Sequence, residues 1–211
     1  MAASADPQFS WLGDGDDASA GVAELGVAEL MVNAFWELLE PFGAPRGRWI
    51  AWTAENLSSA HVLTAWADGA LAGAIAYSPP GQRRALTVAL VSCVHHFGPL
   101  RGVVVYRVMR REFATPLKVP NAGLERDCYI ELLAVEPALR RRGIGSALIA
   151  ELEHRLSAYA TFVLEVDGDN DAGQALYRSL GFAEVARYPE PWAASRRHGT
   201  MERVYLRRAR G

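Results

Sequence analysis

Only two cysteines, Cys93 and Cys128, occur among 211 residues, too few for a disulfide framework. No Cys/His group has the spacing of metal ligands, so no metal is expected. Lysine is nearly absent: Lys118 is alone among 22 basic residues, the rest being arginine. Long apolar runs are missing too. The longest, Ala85 to Phe97, is too short for a bilayer and is interrupted by His95 and His96. The opening MAASADPQFS lacks the basic region and apolar run of a secretory signal. Nor does one sign of charge dominate. A net charge of −2 gives no whole-chain reason to expect nucleic acid or an anionic membrane as partner. What remains is a cytoplasmic, reduced, globular protein.

What is present fits that class, with 50% apolar and 22% charged residues, enough to build a core. The charge is unevenly spread. Residues 1–45 hold eight acids and no Lys or Arg, whereas 186–211 hold seven Arg against two Glu. No repeat or low-complexity linker divides the chain. The expected layout is a loose acidic leader over 1–17 and one domain over 18–211.

Apolar positions from Val22 to Leu38 recur at helical spacing, with Asp16 or Asp17 as cap and Pro41-Gly43 as stop. A short helix is expected around Arg46–Leu57. HVLTAWA and LAGAIAY, joined by Asp68-Gly69, predict a tight antiparallel hairpin. The stretch 81–118 mixes valines with many arginines and a Pro99 break, and is read as two helices. From Tyr129 the order is strand YIELLAV, helix GIGSALIAELEHRLSAY, strand TFVLEV and helix NDAGQALYRS ending at Gly181. FAEVARY and TMERVYLRR close the sheet around a loop at 189–199. The fold class is therefore α/β or α+β, with a mixed, mostly antiparallel sheet flanked by helices and a helical insert before YIELLAV.

Chemistry concentrates at Arg140-Arg141-Arg142-Gly143-Ile144-Gly145-Ser146, between a strand and a helix. A helix N-terminus offers free N–H groups and the positive end of its dipole, which suits a phosphate. Gly143 and Gly145 let a large anion approach the backbone, and the three arginines add planar donors. There is no Gly-Lys-Ser/Thr, which excludes an ATP-type phosphate loop, and the spacing is not that of a dinucleotide fingerprint.

The ordered neighbours of this loop carry a resemblance. Tyr129–Val135, Pro137, the R-x-x-G-x-G of Arg140 to Gly145, the strand Phe162–Val166, Asn170–Tyr177 and Leu180-Gly181-Phe182 together resemble the GNAT family of N-acetyltransferases. The match covers about 128–183 closely and 61–207 more loosely. The long helical insert is similar in layout to the actinobacterial puromycin-type antibiotic N-acetyltransferases.

That resemblance implies acetyl-CoA as acyl donor, with Arg140, Arg141, Arg142, Gly143, Ile144, Gly145 and Ser146 at its pyrophosphate. Leu133, Ala134 and Val135 would pair with the pantetheine arm where the strand splays from its neighbour. Asn170 and Gly173 would sit beside that arm, and Tyr177 at the general-acid position. Glu131, expected on one strand face with Tyr129 and Leu133, is the candidate base. A base is needed because an alkylammonium of pKa about 10 must lose its proton before it attacks. Phe35 and Trp36, with Trp49, Trp52, the insert 81–127 and Trp192, would build the acceptor site. A rim formed by Glu24, Glu29, Glu37 and Glu40 would draw in a cationic amine.

The same residues have plain structural readings: Glu131 an ion-pair partner, Tyr177 a core cap, Asn170 a helix cap, and the tryptophans, His95-His96 and Cys128 packing. The activity implied is transfer of acetyl to the amine of a small molecule, an antibiotic or metabolite. The alternatives are a protein N-terminal or lysine acetyltransferase, and a non-catalytic CoA-binding module. A homodimer is compatible with such a domain.

Overall fold

Two consecutive positive φ angles, 51° at Asp68 and 76° at Gly69, make the two-residue turn that joins β2 (Val62–Ala67) to β3 (Ala70–Ser78). Such a turn matches the twist of the strands it connects, as the Asp-Gly pair predicts. This is a computed structural model, and it describes residues 7–14, 17–80, 85–114, 127–189 and 202–209. The hairpin lies within a seven-stranded sheet of order β1-β2-β3-β4-β5-β7-β6. The remaining strands are β1 (Gln8–Trp11), β4 (Asp127–Val135), β5 (Thr161–Asp167), β6 (Ala183–Pro189) and β7 (Glu202–Ala209). Neighbours pair antiparallel except β4 and β5, which are parallel.

β1 corrects the expected leader. Gln8 to Trp11 pair with Trp66 to Leu63 as an edge strand, and Arg155 Nη2 donates to the Phe9 carbonyl at 3.0 Å. Four residues without a clear apolar alternation carry no strand signal by themselves; β2 supplies the ladder that orders them.

Helices cover both faces. On one, α6 (Ile144–Arg155) buries Ile144, Leu148, Ile149 and Leu152 against Leu63, Ile75, Phe162 and Leu164, with α7 (Asp171–Ser179) leaning Tyr177 on the same core. On the other, α1 (Asp17–Ala34) sets Val27, Leu30 and Met31 over Ala74, Ala76, Leu132 and Ala134. The small side chains of β3 let α1 lie close. α1 stops at Ala34 rather than at Pro41. Phe35 breaks the helix with φ −110° and ψ 22°, and α2 (Trp36–Leu39) restarts it before a 3-10 turn over Glu40–Phe42.

The expected helices before the motif strand are present: α3 (Arg46–Asn56), α4 (Leu90–Phe97) and α5 (Pro99–Ala114). With Val32 of α1 they enclose a second core of Trp49, Trp52, Cys93, Phe97, Val105 and Met109. α4 and α5 touch at Gly102. A Cβ there would lie 2.6 Å from the Cys93 carbonyl oxygen and 2.6 Å from the Val94 Cα, both backbone atoms that cannot swing aside. Overpacking of this kind costs about 1–3 kcal/mol. We expect Gly102→Ala to lower Tm by roughly 4–10 °C, measured by calorimetry. An unchanged Tm would mean that the α4–α5 crossing has slack.

Candidate active site

The site begins where the sheet opens. β4 and β5 pair only from Asp127↔Thr161 to Ile130↔Leu164, after which β4 runs on to Val135 and β5 to Asp167 without a shared ladder. A cavity of about 690 Å³ occupies this split and extends towards the insert helices. Leu133, Val166, Asn170 and Tyr177 line it at the sheet, and Phe35, Leu38, Phe42, Val104, Val108 and Phe113 at the helices.

Beside the split stands the phosphate-type loop. Gly143 caps α6 with φ 83°, and Arg141 is also left-handed at φ 64°. These two turns bring the chain into the helix so that the first-turn amides, which have no carbonyl ahead of them, face outwards. A Cβ on Gly143 would meet nothing within 4 Å, so its glycine is required by conformation rather than space. Gly145, one residue into the helix, has closer neighbours. A Cβ there would lie 3.4 Å from Leu176 Cδ2 and 3.8 Å from Val135 Cγ2, ordinary contact distances where α6, α7 and the end of β4 meet. Arg140 is turned back on the strand: its Nε donates to the Val135 carbonyl at 3.2 Å. Arg141 and Arg142 are exposed.

Asn170 caps α7, its side-chain oxygen accepting from Gly173 N at 2.8 Å. Gly173 exists for that cap. A Cβ on it would come within 2.9–3.0 Å of the Asn170 amide group. Seven residues on from Asn170, Tyr177 packs edge-on to Phe182 at 6.0 Å between centroids. Its hydroxyl has no hydrogen-bond partner among the described residues, and burial pushes its pKa up to about 12. It is therefore a neutral proton donor held in an apolar wall.

Glu131 sits on an irregularity. Ala76 pairs with Leu132 but Tyr77 with Ile130, so the register steps over Glu131. Such a bulge re-aims a side chain and resets the alternation. Leu133 consequently packs on the α6 side and Leu132 on the α1 side, which corrects the expectation that Glu131 shares a face with Leu133. Glu131 lines the cavity, where its Oε1 accepts from the Ser78 hydroxyl and from Ala85 N at 3.5 Å.

The first helices contribute less than expected. Phe35 lines the cavity, but Trp36 does not; the Arg46 guanidinium lies over its ring at 4.4 Å. Trp49 and Trp52 are 0% and 2% exposed, core residues whose edges reach the cavity wall. Glu24, Glu29, Glu37 and Glu40 are not on that wall; the last three are exposed and Glu24 is half-buried. Trp192 falls outside the described residues.

Sequence reading missed a charged chain across the cavity. Tyr129 Oη donates to Glu165 at 2.5 Å; Arg203 lies 3.7 Å from Glu165, 3.3 Å from Glu112 and 3.8 Å from Asp167. It ties α5 to β5 and β7. Glu165 and Asp167 alternate on β5, which was a signal of one wet face, but Glu112 and Arg203 lie too far apart in sequence to be associated. Among the described residues no cluster of His, Cys, Asp or Glu could hold a metal, and no helix is long and apolar enough to cross a membrane.

Split parallel strands, a left-handed glycine cap and an N-terminally capped helix beyond them match the α/β architecture expected from the sequence, and known proteins of similar sequence place it in a family. The chain belongs to the acetyltransferase (GNAT) family, whose model matches residues 29–182. Its relatives include the N-alpha-acetyltransferase RimI of Mycobacterium tuberculosis, 45% identical over 56 residues, which are 26% of this chain and 35% of that protein. The [ribosomal protein bS18]-alanine N-acetyltransferase of Escherichia coli K12 is 49% identical over 57 residues, 25% of this chain and 37% of that one. The chain thus spans little more than a third of the length of these relatives.

Among solved structures, an N-acetyltransferase from Staphylococcus aureus Mu50 superposes with TM-score 0.59 at 18% identity, covering 89% of this chain and 96% of that one. The Escherichia coli ribosomal-protein-S18-alanine N-acetyltransferase gives 0.52 at 16%, covering 96% and 93%. At such identities these two establish the fold alone.

Proposed function

We propose that the protein is an acetyl-CoA-dependent N-acetyltransferase acting on the amine of a small, partly apolar molecule. The observation that carries this is the single cavity wall holding a carboxylate, Glu131, and a neutral, half-buried phenol, Tyr177, where β4 and β5 part. The geometry fits the donor. The amides at the start of α6 suit its pyrophosphate, with Arg141, Arg142 and Ser146 alongside, and the backbone edge of Leu133, Ala134 and Val135 suits its amide-bearing arm. Arg140 steadies that edge through the Val135 carbonyl. Acetyl-CoA, when bound, would supply the acetyl group as a thioester with its sulfur as the leaving group.

The remaining chemistry is done by the chain. Glu131 takes the proton from the acceptor ammonium, which at pH 7 offsets a cost of about 4 kcal/mol for reaching the free amine. Tyr177 Oη gives its proton to the departing sulfur and regains one as the nitrogen sheds its proton on amide formation; its raised pKa keeps it protonated throughout the neutral range. The apolar walls from Phe35, Leu38, Phe42 and Phe113 hold the acceptor body and keep water away from the acyl group.

We expect Glu131→Gln to lower kcat/KM at pH 7 by about 100-fold. The defect should shrink as the pH nears the acceptor pKa of about 10, where free amine is already abundant. A thiol-release assay over pH 6–10 measures this; a pH-independent loss would make Glu131 structural, as the Ser78 contact also allows.

A second reading is supported by the names of the relatives. If the 45–49% identical stretches carry acceptor choice as well as donor binding, the acceptor is the N-terminal amine of a protein. Against it stands α5 of the insert, whose Val104, Val108 and Phe113 add an apolar wall on the acceptor side of the cavity. Acetylation of N-terminal peptides, with no turnover of any small amine, would promote this second reading.

A further inference from the structure

We propose that the acceptor carries an anionic group as well as its amine, and that Arg107 and Arg111 of α5 bind that anion. The proposal rests on the reading of this cavity as an amine-acetylating site and names its substrate class. Arg107 and Arg111 are four residues apart, so one helical turn places them on the same face of α5. Both line the cavity beside Val104 and Val108, and both are exposed.

Their charge is not answered among the described residues. Among the described residues neither arginine has a carboxylate within ion-pair distance. The acids of the same cavity are engaged elsewhere: Glu112, Glu165 and Asp167 by Arg203, and Glu131 by the Ser78 hydroxyl. Arg110, the neighbouring arginine, is by contrast satisfied on its own helix. It donates to Tyr106 Oη at 2.7 Å and lies 5.8 Å from that ring, and it is not on the cavity wall.

Two planar guanidiniums one turn apart, on the wall of a cavity whose acids Glu112, Glu165 and Asp167 already face Arg203, suit a carboxylate or phosphonate better than a cation. Glu131 lines the same cavity. An acceptor with an ammonium at one end and an anion at the other would be oriented by both, its apolar middle lying along Val104, Val108 and Phe113. The pair would also repel a purely cationic polyamine, which adds selection against the wrong substrate.

The test uses matched acceptors in the thiol-release assay with acetyl-CoA: ω-amino carboxylates of three to eight carbons, and alkylamines of equal length. The expected result is a kcat/KM ratio of carboxylate over amine of at least ~10 for the best length, the discrimination a charge-assisted pair commonly provides. In Arg107→Gln/Arg111→Gln that ratio should fall to about 1, through KM rather than kcat. Circular dichroism and calorimetric binding of CoA confirm that the double variant is folded.

Turnover of alkylamines at an equal or greater rate, unaltered by the double variant, would overturn the anion site and leave the acetyltransferase reading standing. Bound CoA with no turnover of any amine or amino acid would overturn both.

Discussion

Tyr177→Phe is expected to lower kcat about 100-fold while leaving CoA affinity within about twofold. The substitution keeps the ring that packs edge-on to Phe182 and deletes a hydroxyl with no hydrogen-bond partner among the described residues. Stability should accordingly change little, because no buried donor or acceptor is orphaned. The pH dependence follows from the direction of the shift. Burial disfavours the phenolate, so the proton donor survives well above the ordinary tyrosine range and is lost only near pH 12. The wild-type rate should therefore show no alkaline decline attributable to Tyr177 below about pH 10. Steady-state rates across pH 6–10 for both forms check this. A variant within twofold of wild type would mean that the thiolate leaves without help.

Gly143→Val is expected to weaken CoA binding by about 100-fold or more. Gly143 has φ 83°, a region that a β-branched residue enters only under strain. The open space around it means that the loss comes from the backbone, which would relax towards negative φ and turn the first amides of α6 away from the ligand. Gly145→Ala serves as the contrasting case. Its Cβ would meet Leu176 at 3.4 Å, ordinary contact with a movable side chain, so its affinity should drop far less. Isothermal titration with CoA, alongside thermal unfolding of each variant, separates binding from stability. Wild-type affinity in Gly143→Val would show that the left-handed cap is dispensable.

The loop, cap and tyrosine of the proposed donor half were legible in the sequence for a local reason. They lie within about fifty residues, and each declares itself by a residue that its neighbours cannot replace: glycine at a positive φ, asparagine at a cap, tyrosine before Leu180-Gly181-Phe182. The hairpin at Asp68-Gly69 and the α4–α5 break at Pro99 were legible in the same way. The acceptor half was harder to read because its residues converge from α1, α5, β4, β5 and β7. Side chains as different as Phe35 and Trp36 looked equivalent along the chain, yet the break at Phe35 turns one into the cavity and leaves the other under Arg46.

By itself, then, the sequence determined most of the element order, the glycine-capped loop and the residue types of the proposed donor site, since backbone conformation and amphipathic period are properties of short segments. The tertiary structure alone decided where charge lies. The acids of α1 and α2 are off the cavity wall, Arg203 gathers Glu112, Glu165 and Asp167, and Arg107 and Arg111 line the cavity without a partner among the described residues. It also decided the aim of Glu131, because a bulge arises from the register between two strands and not from either strand read alone.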